Sequence, residues 1–183
     1  MRGLPTEMKF DDPKVIAAIE AFGEFARNDA YVDGGSAAVA STDFRDSPAG
    51  LFTIPQKCYM HRQASFIPAF FPEGTEMGED VDFFYFPAFA DKDLGKPVLG
   101  AGALFAITNP RTQGVNLAAY SDDSLRAQGE ILQNATTFRF DASDLMPGEI
   151  GAGAFWTGMV DYVTGTDAGE VAKGIQERWD AIQ

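Results

Sequence analysis

Cysteine and histidine are almost absent from this chain, and their scarcity excludes several kinds of site. The 183 residues include one cysteine, Cys58, and one histidine, His61. A single cysteine cannot form an internal disulfide. Cys58 and His61 have the spacing Cys-x-x-His, but a structural zinc site needs four such ligands, and a Ser-His-Asp triad would have to use His61 itself. We therefore expect no metal site, no cofactor and no catalytic residue.

Long apolar runs and an excess of basic residues are also missing. No segment approaches the roughly 18 consecutive apolar residues of a membrane span, and residues 1–8 lack the apolar centre of a signal peptide. The chain has 14 lysines and arginines against 27 aspartates and glutamates, a formal net charge of −13. Surfaces that follow nucleic-acid phosphates or anionic lipids need clustered basic residues. We therefore expect neither nucleic-acid binding nor membrane insertion.

The remaining composition is that of an ordinary globular protein. Hydrophobic residues make up 45% and charged residues 22%, and a chain of this length can bury a substantial core in one domain. The apolar spacing predicts four helices, with starts near Asp12, Ser121, Phe155 and Asp167. Asp12 suits the N-cap of the first helix, and Pro13 suits its first helical position.

Each predicted helix has an apolar face at helical spacing. In chain order, the four faces comprise Val15, Ala18, Ile19, Phe22, Phe25 and Ala26; Leu125, Gln128, Gly129 and Leu132; Phe155, Met159, Tyr162 and Val163; and Val171, Ile175 and Ile182. Strands are predicted at residues 57–60, at residues 81–86 before Pro87, and at residues 98–108, where glycines interrupt the run. Residues 33–50 are rich in Gly, Ser and Asp, so we expect a loop with a short helix there.

Four segments carry a resemblance to a known family. Residues 146–156, with the sequence MPGEIGAGAFW, match a Met-Pro to Phe-Trp segment near the C-terminus of the sugar-binding proteins of ABC importers. Residues 41–48 (STDFRDSP), 57–66 (KCYMHRQASF) and 83–89 (FFYFPAF) resemble the same proteins, in particular the α-glucoside-binding branch related to maltose-binding protein. The resemblance covers nearly the whole chain but only the C-terminal part of a complete member.

The resemblance implies an α/β fold, namely a fragment of one lobe of the type 2 periplasmic-binding-protein fold, with a mixed sheet flanked by helices. We expect residues 1–183 to form a single α/β domain that resembles the C-terminal lobe. Residues 98–110 would then be a remnant of the segment that crosses to the other lobe. In the family a helical block of the other lobe follows that segment, and the chain then returns. Here residues 111–117 already resemble the returning segment. The N-terminal half and this internal block are therefore expected to be missing.

Trp156 is the first candidate for a ligand contact, because the resemblance places it where relatives stack an indole on a sugar ring. Flat aromatic rings suit the apolar face of a pyranose, although an aromatic residue on an amphipathic helix is more often part of a core. Met146 and Thr157 occupy positions that line the sugar cleft in the family, with plain packing as the alternative for Met146. The candidate ligand-binding set is completed by Phe66, Tyr59 and Arg62.

Alternatives stay open for several of these candidates. Phe66 could equally be buried in the core, and Arg62 could pair with a carboxylate instead of sugar hydroxyls. Asp43 and Asp46 could form the carboxylate pair of a glycoside hydrolase, but a spacing of three in a loop does not establish their separation. An ion cluster of these two residues with Arg45, which would stiffen the loop, is the other interpretation.

The resulting expectation is a non-catalytic binding subunit for carbohydrates (α-glucosides) of an ABC sugar importer, or a fragment of one. Its partners would be an α-glucoside or other oligosaccharide and an ABC permease, and the resemblance implies a periplasmic location. The alternative is a structural or interaction module that self-associates, because removal of one lobe would uncover apolar surface. We expect a homo-oligomer whose interface includes part of residues 98–108.

Overall fold

The computed structural model describes residues 8–87, 93, 95–100 and 116–183. The chain divides into two compact units. Unit 1 comprises Met1–Pro72 and Ser143–Gln183, and unit 2 comprises Glu73–Ala142. The expectation of a single domain stays a prediction, because most of the expected crossing segment, residues 98–110, lies outside the described residues. In the described part of the chain, no helix has the length and apolar character needed to cross a membrane.

The described residues form an α/β structure that is rich in helix. Its helices and strands are, in chain order, α1 (Pro13–Ala26), α2 (Ser36–Ser41), β1 (Pro97–Gly100), α3 (Asp123–Gln133), β2 (Thr137–Phe140), α4 (Trp156–Val163) and α5 (Ala168–Ala181). α1 and α5 begin as predicted. The Asp12 carboxylate accepts a hydrogen bond from the Lys14 N–H at 2.8 Å, and the Asp167 carboxylate accepts from Gly169 and Glu170. These caps satisfy N–H groups that no helical carbonyl can reach.

The core of unit 1 lies where α1, α4 and α5 pack together. Its buried side chains form one apolar cluster, made up of Ile19, Ile150, Tyr162, Ala168, Val171, Ala172 and Ile175. The close approach of α4 to α5 depends on Gly158, since a Cβ there would lie 3.0 Å from Val171 Cγ1. Removal of these apolar side chains from water is the dominant favourable term in folding. Unit 1 therefore has a core of its own.

Unit 2 contains a β-α-β arrangement. β1 and β2 pair in parallel, with Val98 opposite Phe138 and Leu99 opposite Arg139. Parallel strands need a long crossover connection, usually one that contains a helix, and α3 lies in this connection. Residues 101–115 lie outside the described residues, so the strand predicted at 98–108 is observed only as far as Gly100.

The start and the apolar face of α3 differ from the prediction. Its N-cap is Asp122 rather than Ser121, because the Asp122 carboxylate accepts the Leu125 N–H at 2.9 Å. Leu125 and Leu132, which lie on the predicted face, are 48% and 57% exposed. Ile131 is half-buried instead. The two leucines thus lie on the solvent side of α3.

The other predicted helices are confirmed with smaller corrections. Val171 and Ile175 of α5 are buried, but Ile182 is 37% exposed because it lies beyond the end of the helix. On α1, Ala18 is exposed and Phe25 is 50% exposed. The short helix expected within residues 33–50 is present as α2.

Two predicted strands are absent. Residues 57–60 lie outside any strand, and within residues 81–86 only Val81 takes part in an isolated bridge. The Asp82 carboxylate accepts a hydrogen bond from the next backbone N–H at 2.7 Å. Local bonds of this kind compete with strand pairing for the same backbone groups. An apolar, aromatic run was therefore insufficient to make a strand here.

Candidate functional site

Trp156 is the first residue of α4 and is 69% exposed. It follows directly on a π-helical segment, Glu149–Phe155. An indole this exposed leaves apolar surface in water, and covering that surface with a ligand or partner is favourable. π-helical turns also occur frequently at functional sites. Trp156 therefore lies outside the core of unit 1, and its indole face is open to a contact.

The segment before Trp156 is anchored to the core of unit 1. The Pro147 carbonyl accepts hydrogen bonds from the N–H groups of Ile150 at 2.8 Å and Gly151 at 3.0 Å. Ile150 is fully buried. Gly151 has no room for a side chain, because a Cβ there would collide with the carbonyl oxygen of Ser143. Trp156 is therefore presented by a segment with fixed packing.

Met146 and Thr157, the two neighbours predicted with Trp156, differ in burial. Met146 is half-buried and packs against the core cluster of unit 1, which fits the packing alternative. Thr157 is exposed on α4, and within the described residues its hydroxyl makes no hydrogen bond. Thr157 can therefore offer a donor and an acceptor to a ligand.

Phe66 belongs to a cluster of three aromatic rings that is partly open to solvent. Its ring centroid lies 5.8 Å from that of Phe44 and 6.4 Å from that of Phe70, and the latter two are 5.5 Å apart. Phe66 is 51% exposed, so the alternative of a core position is not what the structure shows. Phe44 and Phe70 are absent from the sequence-predicted set, although Phe44 lies within residues 41–48.

Tyr59 and Arg62 also lie on the surface of unit 1. Tyr59 is 81% exposed, and Arg62 is exposed. Among the described residues Arg62 forms no ion pair, so the carboxylate partner considered for it is not observed. Nor does any hydrogen bond, ion pair or ring contact in this part of the chain join two of the six predicted site residues. All of the six except Met146 are exposed, and they lie within residues 59–66 and 156–157.

The loop at residues 41–48 contains an ion pair rather than a pair of neighbouring carboxylates. Arg45 Nη1 lies 3.5 Å from Asp43 Oδ2, and the two side chains are 60% and 48% exposed. The guanidinium also lies over the Phe44 ring, 4.8 Å from its centroid. Asp46 forms no ion pair with any described residue. This arrangement fits loop stiffening, with a contribution of roughly 0–1 kcal/mol for an exposed pair.

His61 and Cys58 are not arranged as reactive groups. His61 is half-buried, its Nε2 lies 3.3 Å from the Ser47 hydroxyl oxygen, and burial lowers the pKa of its imidazole. Burial, and secondly the Asp33 carboxylate, raise the pKa of the Cys58 thiol, so little reactive thiolate forms. In the described part of the chain no group of three or more His, Cys, Asp or Glu side chains could hold a metal ion.

Comparison with known proteins gives two clear relatives. The chain is 55% identical over 206 residues to the alpha-glucosides-binding periplasmic protein AglE of Rhizobium meliloti (strain 1021), a match that covers 97% of this chain and 45% of that protein. It is 37% identical over 201 residues to the osmoprotective compounds-binding protein GgtB of Synechocystis sp. (strain ATCC 27184 / PCC 6803 / Kazusa), covering 94% of this chain and 47% of that protein. No protein-family model and no solved structure gives a significant match.

The comparisons confirm the resemblance to solute-binding proteins found in the sequence. The chain spans about half the length of the curated relatives it matches. Both matched regions, 206 and 201 residues long, exceed the 183 residues of this chain. Each relative therefore has residues within the matched region that have no counterpart here, in agreement with the expected gap.

Proposed function

We propose that this chain binds an α-glucoside or other oligosaccharide without transforming it, as a binding subunit of an ABC sugar importer or as part of one. The similarity to the alpha-glucosides-binding protein supports the ligand class, and the resemblance of residues 146–156 supports the transport role. The observation that carries the proposal is the exposed indole of Trp156 at the start of α4.

In this proposal the protein works in the periplasm and delivers its ligand to a membrane permease. Unit 1 corresponds to part of one lobe of the type 2 periplasmic-binding-protein fold and supplies one wall of a sugar cleft. A complete pocket buries most of its ligand between two walls. One wall alone should bind weakly, with a dissociation constant on the order of 1 mM, about 4 kcal/mol of binding free energy.

The proposed contacts are of two kinds, stacking on aromatic rings and hydrogen bonds to polar groups. Trp156 stacks on the C–H face of a pyranose, and Phe66 offers a second aromatic surface supported by its ring neighbours. Thr157 and Arg62 bind hydroxyl groups, because both are exposed and have polar atoms without partners among the described residues. Tyr59 can stack on a sugar ring or bind a hydroxyl group. Met146 supports Trp156 from the core side.

The two tryptophans allow a direct fluorescence test. Trp179 packs against the core of unit 1 and contacts Phe10, with ring centroids 6.1 Å apart, whereas Trp156 is exposed. Maltose should change the emission of a Trp179→Phe variant, whose remaining indole is Trp156. It should leave a Trp156→Phe variant unchanged. Equal responses of the two variants, or none in either, would reject the proposed site.

We also propose self-association through unit 2 as the second candidate role. Leu99 of β1 and Phe138 of β2 are 58% and 59% exposed. β1 and β2 pair only with each other among the described strands, so each has an outer edge that no other described strand pairs with, and such edges can accept a further strand. A two-fold arrangement of two copies would cover these apolar side chains. Static light scattering on the purified chain tests this role.

A further inference from the structure

Unit 2 contains a cleft of about 440 Å³ that the proposed function does not use. The cleft is lined by residues 82–85, by Lys96 and by the C-terminal half of α3 with Asn134. Pockets for small ligands commonly measure about 300–1,000 Å³. The cleft therefore has the size for one small molecule, roughly one or two sugar rings.

Hydrogen bonds to the backbone hold three of the residues that line the cleft. Lys96 is bonded twice to Thr136, the residue before β2. Its N–H donates to Thr136 Oγ1 at 2.7 Å, and its carbonyl accepts the Thr136 N–H at 2.9 Å. Asn134 caps α3, since its backbone and side-chain N–H groups both donate to the Glu130 carbonyl, at 2.9 and 2.8 Å. The Tyr85 hydroxyl donates to the Pro97 carbonyl. These bonds limit the movement of Lys96, Asn134 and Tyr85.

Several polar atoms in these walls have no protein partner among the described residues. The Lys96 ammonium and the Glu130 carboxylate form no ion pair in this part of the chain, and Asp82 uses one carboxylate oxygen for a local backbone bond. The Asn134 side-chain oxygen and the Tyr85 hydroxyl oxygen can still accept. Phe84, 64% exposed, and Tyr85 add aromatic surface to the same cleft.

We propose that this cleft is a second ligand site for a neutral, polyhydroxylated molecule. Two carboxylates against one ammonium disfavour an anion, and the ammonium of Lys96 disfavours a compact cation. A sugar or polyol matches the remaining chemistry, because each hydroxyl both donates and accepts, and the apolar face of a sugar ring suits Phe84 or Tyr85. The site rests on residues of unit 2 alone, so it does not depend on Trp156.

The test is a titration of the full 183-residue chain in the Trp156→Ala background, followed by amide NMR shifts of assigned cleft residues. Maltose and glycerol are the neutral ligands, and glycine and inorganic phosphate are the charged ones. Maltose should shift the amides of Lys96, Glu130 and Asn134 in a saturable way. Glu130→Gln should weaken this binding about tenfold, because a hydrogen bond to a charged carboxylate is stronger than one to the neutral amide that replaces it. Leu132→Ala, exposed on the same helix and outside the cleft, should leave the affinity unchanged.

The outcomes separate this site from the Trp156 site. Saturable shifts in unit 2 that persist without Trp156 support the cleft even if sugar binding at unit 1 fails. Shifts only with phosphate or glycine would overturn the proposed ligand class. No shift with any of the four compounds, shifts lost with Trp156, or equal effects of Glu130→Gln and Leu132→Ala would overturn the site itself.

Discussion

The two units of this chain differ in how they bury apolar side chains. All the buried hydrophobic residues found among those described lie in unit 1, where α1, α4 and α5 share a core. In unit 2 no described residue reaches that degree of burial, and Phe84, Leu99 and Phe138 are 64%, 58% and 59% exposed. Unit 1 can therefore hold its shape from within and present Trp156 to a ligand. Unit 2 has apolar surface that a partner copy could cover.

The largest expected effect is a loss of stability on truncating the core of unit 1. Ile150 belongs to the π-helical segment Glu149–Phe155 and is fully buried. Ile150→Ala should lower the free energy of unfolding by about 2–5 kcal/mol, because it removes buried methyl groups and leaves a cavity. Urea unfolding followed by circular dichroism measures the change.

The matched control for Ile150→Ala is Leu132→Ala in unit 2. Leu132 is 57% exposed, so its truncation should change the unfolding free energy by roughly 0.5 kcal/mol or less. Comparable losses from the two variants would mean that the contrast between the units is wrong.

Self-association should depend on unit 2. Wild-type chain at micromolar concentration should give the mass of a dimer or larger assembly in size exclusion with light scattering. Leu99→Asp should shift it toward monomer, because a buried unpaired carboxylate would be costly in the interface. Ile54→Asp is the control, since Ile54 is 99% exposed in unit 1. A monomeric wild type, or dissociation by Ile54→Asp alone, would contradict the proposal.

The smallest effect concerns His61 in unit 1. Burial lowers the pKa of this imidazole below its usual 6.5, so the unfolded chain binds the proton more readily than the folded chain. Its contribution to stability is therefore fully present above pH 6.5 and is lost as pH falls toward the folded-state pKa. His61→Gln should reduce the difference in unfolding free energy between pH 8 and pH 5. An unchanged difference would show that His61 is not the titrating group.

The helices of unit 1 were predictable because their signals are local. Asp12 and Asp167 cap the helices that follow them, and the buried Val171 and Ile175 have the spacing of one helix face. The strands were less predictable from sequence. An apolar run such as residues 81–86 becomes a strand only if a partner strand is available. Here the Asp82 carboxylate takes the neighbouring backbone N–H instead.

Local sequence signals also indicated part of the candidate surface. The resemblance marked Trp156 and Phe66, and both are exposed. It did not identify Phe44 and Phe70. Phe66 and Phe70 share one 3-10 turn, and Phe44 meets them only where a second segment packs against that turn. Met146 was marked as a ligand contact, yet its half-buried position against the core depends on how the whole unit folds.

Calorimetric titration with maltose tests most directly whether unit 1 presents Trp156 to a sugar. Wild type and Trp179→Phe should bind with the same affinity, because Trp179 is held within the packing of unit 1 and phenylalanine keeps most of that contact. Trp156→Ala should lose the maltose binding of unit 1 and keep only that of the separate site proposed in unit 2, while its unfolding free energy stays near that of wild type. Maltose binding by Trp156→Ala with the affinity and stoichiometry of wild type, or no binding by the wild-type chain at millimolar maltose, would show that Trp156 does not contact the sugar.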